Sequence, residues 1–205
     1  LTKLVGSIAS TNEFYGTIYN AVPQAIAFAV TSAGILDASF GTAGIVTTTV
    51  QSPQQLNSVS IQADGKVVGV GYNNAGAGST ADPILLRFYG YPYVSEYAQA
   101  PDQIGAGILD TTLWPTSGAL DLATYSTLSA LGLSGYTMTA LYTYTNDDML
   151  MLFVPKTLTG TSCKLLRMHK DFTLDTSFGS STGMVTVTGL TANLTNRTAL
   201  LVNTA

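Results

Sequence analysis

Ile35-Leu36-Asp37-Ala38-Ser39-Phe40-Gly41-Thr42-Ala43-Gly44-Ile45-Val46 is the stretch on which the fold of this chain turns. It returns as Thr173-Leu174-Asp175-Thr176-Ser177-Phe178-Gly179, followed by Gly183-Met184-Val185. A reduced form reads Ile108-Leu109-Asp110-Thr111-Thr112-Leu113-Trp114, followed by Gly118-Ala119-Leu120. Each residue type has a physical role. Asp accepts from the backbone amides just after it, Gly takes positive φ, and the large apolar residue points inward. Together they describe a tight corner entering a β-strand, used three times.

Four strand types extend outward from the corner in a fixed order. Strand a follows it, at Ile45, Met184 and, more weakly, Ala119. Strand b precedes a hairpin and covers 56–61, 136–144 and 198–202. Strand c follows the hairpin, at 4–8, 67–72 and 150–154. Strand d leads to the next corner, at 25–30, 84–89 and 164–169, with Arg87 and Arg167 where the first copy has Ala29. Asp64-Gly65 between two alternating runs predicts a type I′ hairpin, for which both central residues need positive φ. Asn146-Asp147-Asp148 stands in its place in the next copy.

These periods predict an all-β chain of antiparallel four-stranded, propeller-like blades in one repeat domain, 1–205. The repeat units run approximately 1–63, 64–146 and 147–205. The middle unit is lengthened by insertions at 90–107 and 121–135, and 122–131 within the second predicts a short helix ended by Gly132. Aligning the hairpins places Val202 with Ile61. On this reading the chain opens with strands c and d and closes with a and b, leaving a split half-blade at each end. Three blades are too few to close a propeller ring, which typically needs about four to eight. The half-blades are therefore expected to meet between chains, through Leu4, Val5 and Ile8 on one side and Leu200, Leu201 and Val202 on the other. The predicted core comprises Leu4, Val67, Val68, Leu150 and Leu152, with Phe40 and Phe178 at the corners.

Composition narrows the partners. Of 205 residues, 46% are hydrophobic and 10% charged, and the net charge is −4. No Lys/Arg cluster exists to follow a nucleic-acid backbone or an anionic membrane surface. No apolar run approaches the ~20 residues that a spanning helix needs. Cys163 is the single cysteine, so no internal disulfide is possible. The chain opens at Leu1 without a basic-then-apolar segment, which fits either a removed leader or a piece of a longer protein. Asn193-Leu194-Thr195 and Asn196-Arg197-Thr198 match the glycosylation triplet, a pattern that also arises by chance.

The residues resemble a known family. Leu-Asp-x-Ser-Phe-Gly-x-x-Gly-x-Val at 36–46, Gln-x-Asp-Gly-Lys-Val-Val-x-x-Gly at 62–71 and the second corner at 174–185 look like the delta-60 repeat. The match at 109–120 is loose, and the first strand d lacks the family's Arg. The resemblance implies a β-propeller-like architecture in a bacterial secreted or surface protein. It implies no activity and supplies no catalytic residues.

Candidate chemistry is sparse. His169, the single histidine, lies within a strand, where an ordinary strand histidine accounts for it better than a proton shuttle or metal ligand. Cys163 reads as a small buried hydrophobe rather than a nucleophile. Asp147, Asp148 and Asn146 offer oxygens, but without the spaced ligands of a calcium loop. Asp37, Asp110 and Asp175 recur, which indicates turn geometry. Ser39 and Ser177 belong to no nucleophile elbow, and Gly69-Val70-Gly71 has no following helix to make a dinucleotide site. Tyr91, Tyr93 and Tyr97, close after Tyr89, are the residues with a binding character, toward a glycan or protein.

The expectation is a non-enzymatic structural protein, extracellular or at the cell surface, whose partners are other copies of itself in a fibre, sheath or ring. No cofactor or metal is expected. The alternative is a binding module that recognises a glycan or protein through the Tyr-rich insertion.

Overall fold

A computed structural model describes residues 3–5, 14–17, 25–48, 54–73, 82–90, 107–112, 119–123, 125, 128–155, 162–189, 200 and 202. The described chain is all-β and built from three antiparallel sheets. The first holds β1 (Lys3–Val5), β2 (Phe14–Thr17), β3 (Ala25–Val30) and β4 (Ile45–Thr48). The second holds β5 (Gln54–Ile61), β6 (Val67–Asn73), β7 (Asp82–Phe88) and β8 (Ala119–Asp121). The third holds β9 (Tyr136–Thr143), β10 (Met149–Pro155), β11 (Cys163–Met168) and β12 (Met184–Val187). Each sheet is four consecutive strands paired in chain order.

The pairing registers superimpose the three sheets residue by residue. One row across the first sheet reads Leu4, Gly16, Phe28, Ile45. The matching row in the second is Val59, Gly69, Leu86, Ala119. In the third it is Leu141, Met151, Leu166, Met184. The first row corrects the sequence reading of the N-terminal end. Lys3–Val5 is a first strand, and Phe14–Thr17, read from sequence as loop, is the second. The first sheet therefore has all four of its strands, and no half-blade opens the chain. Phe-Tyr-Gly-Thr carries strand formers, but it lacks the hairpin dipeptide that marked its counterparts. At the other end Leu200 and Val202 carry no ladder pairing among the described residues.

Alternation along the strands gives each sheet two faces. Val59, Leu86 and Ala119 pack toward the first sheet with Ala27, Ala29 and Phe40. Val68, Val70, Leu85 and Leu120 pack toward the third sheet, against Met138, Leu141, Met149, Met151 and Phe153. We call the face toward the next sheet the front and the other the back. Both internal interfaces are back on front. A bulge falls in the same place in both hairpins, at Leu56/Ser58 opposite β6 and at Leu152/Phe153 between β10 and β9. It turns Leu56 with Val59, and Met138 with Leu141, onto the back.

The corners form as their composition requires. Asp37 Oδ1 accepts from the Ser39 amide at 2.9 Å, and Asp110 and Asp175 do the same for Thr112 and Ser177 at 3.0 and 2.9 Å. Phe40 is buried beneath the first corner. Gly41 and Gly179 have φ of 59° and 64°, and a Cβ there would lie 2.4 and 2.1 Å from the carbonyl oxygens of Ile45 and Met184. Only glycine fits both the turn and that approach.

Four local expectations need correction. Phe178 is half-buried rather than core, because its ring lies 5.1 Å from the Arg167 guanidinium at the sheet edge. The stretch 122–131 contributes as its helical element, among the described residues, a 3-10 turn, Ser129–Leu131, closed by Gly132 at φ 61°. Its run of Ser, Thr and Tyr gives little drive to a longer helix. The Asp64-Gly65 hairpin is not type I′. Gln62 N donates to Lys66 O and Gly65 N to Gln62 O, with only Gly65 at positive φ, which is a type I turn with a bulge. Asp64 Oδ1 accepts from Lys66 N at 3.0 Å and holds that form. Finally, the sheets run from strand b through strand a, out of phase with units cut at the hairpins.

Candidate functional site

The polar side chains that the fold gathers lie where strand d enters the corner. In the second sheet β7 supplies Arg87, the corner supplies Asp110, and the hairpin supplies Lys66. Arg87 grips Asp110 twice, with Nε at 2.8 Å and Nη2 at 2.5 Å from Oδ2. Tyr89 donates its hydroxyl to Oδ1 at 3.0 Å, Thr112 donates hydroxyl and amide to the same oxygen, and Lys66 Nζ lies at 3.5 Å. Asp110 is fully buried. Burial alone would raise its carboxyl, but the Thr112 bonds and the Arg87 charge overcome that and bring it down to about 2. Burial, together with the bond to this carboxylate, pushes the Tyr89 phenol up to about 12.

The third sheet repeats the knot with changed residues. Arg167 Nε lies 2.5 Å from Asp175 Oδ2 and its Nη2 donates to Ser177 Oγ at 3.0 Å. The Ser177 hydroxyl and amide and Arg167 bring the Asp175 carboxyl down to about 2, against the opposing effect of desolvation. His169 stands where Tyr89 stood, and Asp148 where Lys66 stood, as the matching turn bonds show. His169 Nδ1 lies 3.1 Å from Asp148 Oδ1. Asp148, His169 and Asp175 thus offer three ligand atoms within 4.8 Å of one another. Arg167 already holds the most buried of the three, so a cation there would compete with a guanidinium for Asp175. This arrangement suits charge pairing at a corner better than metal chemistry. The sequence missed the clustering, although Arg87 and Arg167 at matched places were its signal.

These knots also join neighbouring sheets. Arg87 Nη1 donates to Lys170 O at 3.4 Å, and its guanidinium lies 5.0 Å from the Phe172 ring. Phe172 has φ 67°, a conformation rare for a bulky residue, at the turn position that Gly34 and Gly107 hold in the other copies. Its burial among the residues between sheets two and three supports that strain. Asn57, at the β5 bulge, donates to Thr137 Oγ1 and Met138 O at 3.0 and 2.8 Å. Leu141 N donates to Ser58 Oγ at 3.2 Å, and the hairpin tips join through Ala63 N and Asp147 Oδ1.

Of the residues expected to bind a ligand, Tyr91, Tyr93 and Tyr97 lie outside the described residues. The insertion that carries them leaves from a closed neck, where Tyr89 N donates to Ile108 O at 2.9 Å and Gly107 N to Tyr89 O at 2.6 Å. Cys163 is half-buried on the front of the third sheet, and burial pushes its thiol up, away from the thiolate. A shallow cleft at the first corner is lined by Gly41, Thr42, Ile45, Val46, Thr47 and Gly107, with no titratable side chain among them.

Of the residues expected to self-associate, Ile8 and Leu201 also lie outside the described set. Leu4 and Val5 are in β1. Leu200 packs on the front of the third sheet, against the cluster of Ala140, Leu152 and Val154. Val59 and Leu141 occupy the corresponding places on the fronts of the first and second sheets. No family model, no curated protein and no solved structure matches the chain.

Proposed function

We propose that this chain is a non-enzymatic structural repeat protein of an extracellular or cell-surface assembly, joined head to tail with other copies of itself into a ring or filament. The observation that carries the reading is the repeated back-on-front packing of sheets in one register. The outer sheets carry the same two kinds of face at opposite ends. The back of the first bears Phe28, Val30 and Ile45, on the face turned away from Ala27 and Ala29. The front of the third bears Leu150, Leu152, Val154 and Leu165. A contact between unlike ends is heterologous, closing as a ring or growing as a filament according to the rotation per step.

The three sheets act as propeller-like blades, consistent with the delta-60-like corners, and two chains joined both ways would bring six blades into one ring. With 10% of residues charged and a net charge of −4, charge repulsion between copies is weak. Light scattering across a concentration series tests the proposal. Masses at multiples of 21.4 kDa are expected. A species of single-chain mass at every concentration up to the millimolar range overturns it.

A further inference from the structure

The fourth strand of each sheet lies at an edge, and the three edges differ in what their backbone offers. In the third sheet Gly183 O accepts from Arg167 N at 3.0 Å. By the alternation of an antiparallel ladder, the backbone groups of Val185 and Val187 then turn toward β11, and those of Met184, Thr186 and Thr188 turn outward. Met184 is closed locally. Thr182 Oγ1 accepts from its amide at 3.3 Å and lies 2.7 Å from its carbonyl oxygen. Ile45, at the same place in the first sheet, is closed by the Thr42 backbone. Thr186 and Thr188 have no such cover. Both are exposed, and no bond to their outward groups occurs among the described residues. Val187 between them lies opposite Cys163 on the front and is a large apolar side chain 36% exposed.

We propose that this edge is a contact between copies, in which β12 of one chain pairs antiparallel with β12 of a second about a two-fold axis at Val187. The edge is its own complement. Thr186 of each copy lies opposite Thr188 of the other, and each opposed pair exchanges two backbone bonds, so every open outward group in both strands is used. Val187 meets Val187 of the second copy in the close, non-hydrogen-bonded position between them. Nothing in the side chains opposes the approach, because no charged residue and no proline occurs from Thr176 to Gly189. The second sheet is guarded where the third is open: Asp121 holds the register place of Thr186, and a charge there discourages strand pairing. A second β12 also suits the edge better than β4 does. In β4 Thr47 is the one outward residue between the closed Ile45 and the strand's end at Thr48, so it offers half the bonds. The contact is isologous and closes after two chains. It goes beyond the head-to-tail reading, using a sheet edge where that reading uses sheet faces, and it would join two rings or filaments side by side.

Cross-linking tests the pairing. In a Cys163→Ala background, which removes the thiol opposite, Val187→Cys is oxidised with copper phenanthroline. Facing Cα atoms in a non-hydrogen-bonded pair lie about 4.5 Å apart, within the roughly 4.4–6.8 Å that a disulfide bridges. A disulfide-linked dimer is expected, and little of one from Thr47→Cys, an equally exposed edge position of the first sheet. Absence of the Val187→Cys dimer, or equal linking at both positions, would overturn the pairing. Val187→Lys supplies a second readout without cysteines. It sets like charges opposite each other and should raise the dissociation constant of the dimer at least tenfold, with the urea midpoint of the parent kept. An unchanged constant would overturn the pairing and leave the head-to-tail reading standing. Single-chain mass for Val187→Lys beside a dimeric parent would do the reverse. Single-chain mass for the parent at every concentration would overturn both.

Discussion

Toward the first sheet, the second presents Val59, Gly69, Leu86 and Ala119 against Ala27 and Ala29. Toward the third, it presents Val68, Val70, Leu85 and Leu120 against Met138, Met149, Met151 and Phe153. The register is the same in both places, yet at one interface the first sheet contributes the small Ala27 and Ala29 against Leu56, Leu86 and Phe88, while the other is filled by long, adaptable methionines from the third sheet. The polar layer differs in parallel. At the place where Ala29 faces the second sheet, Arg87 faces the third, gripping Asp110 and reaching Lys170 O and Phe172. A repeat can therefore conserve backbone pairing while changing how its sheets are fastened, because the ladder depends on backbone groups and the fastening on what projects from them.

The largest effect should come from removing the charge at the second fastening. Arg87→Ala leaves a fully buried Asp110 with Lys66 at 3.5 Å as its nearest cation. An uncompensated buried charge costs about 3–5 kcal/mol, to be read from the urea midpoint. Arg167→Ala should cost less. Its side chain is 29% exposed against 5% for Arg87, so water replaces part of what is lost. Equal losses would show that the two knots are not graded by burial.

The two interfaces should then respond in opposite senses to changes of volume. Met151→Ala empties a fully buried site between sheets two and three and should cost about 2–5 kcal/mol. Between sheets one and two the damaging change is enlargement. Ala29 is fully buried, and Ala29→Leu should cost about 1–3 kcal/mol through overpacking. A neutral Ala29→Leu would indicate spare room at the first interface and remove the distinction.

Acid should act on both knots, whose Asp110 and Asp175 carboxyls are each held at about 2. In the folded chain Asp110 is held at about 2, against an ordinary 3.8. A carboxyl depressed in this way stabilises the folded state above its ordinary value, and that contribution fades as pH falls from about 4 toward 2. It amounts to about 2 kcal/mol. Urea midpoints of the parent should therefore fall across that interval, and those of Asp110→Asn should fall less.

Much of this was legible in the residues, for reasons that can be named. Corners could be read because their chemistry is local: Asp, Ser or Thr two places on, and Gly at positive φ carry their own geometry. Strands c and d of the later copies were legible as apolar runs, and Val67, Val68, Leu150 and Leu152 are buried as that reading required. Phe14–Thr17 escaped because no hairpin dipeptide marks it and its own place in the row is held by Gly16. The knots escaped for a different reason. Arg87 and Asp110 are 23 residues apart, with the whole insertion 90–107 between them, and only the register of β7 against the corner brings them together. The hairpin tip was located correctly but assigned the wrong turn, because Asp-Gly is compatible with both.

The smallest effect belongs to those tips, where the second and third sheets differ by one residue at the same backbone position. Gly65 has φ 83° and Asp147 has φ 68°, and both donate the amide that closes the turn. A Cβ at Gly65 would have nothing within 4 Å, so Gly65→Ala measures the backbone strain almost alone. The left-handed region costs a residue with a Cβ about 1–2 kcal/mol relative to glycine, and the loss should be near the lower figure at an exposed turn. The reverse change, Asp147→Gly, relieves that strain but also removes the carboxylate that accepts from Ala63 N in the neighbouring tip. A hydrogen bond of this kind contributes about 0.5–1.5 kcal/mol. The two effects nearly cancel, and Asp147→Gly should leave the urea midpoint close to that of the parent. A clear gain would show that the tip-to-tip bond carries no weight. A loss well above 1 kcal/mol would show that the second and third sheets are fastened at their tips as well as at Arg87.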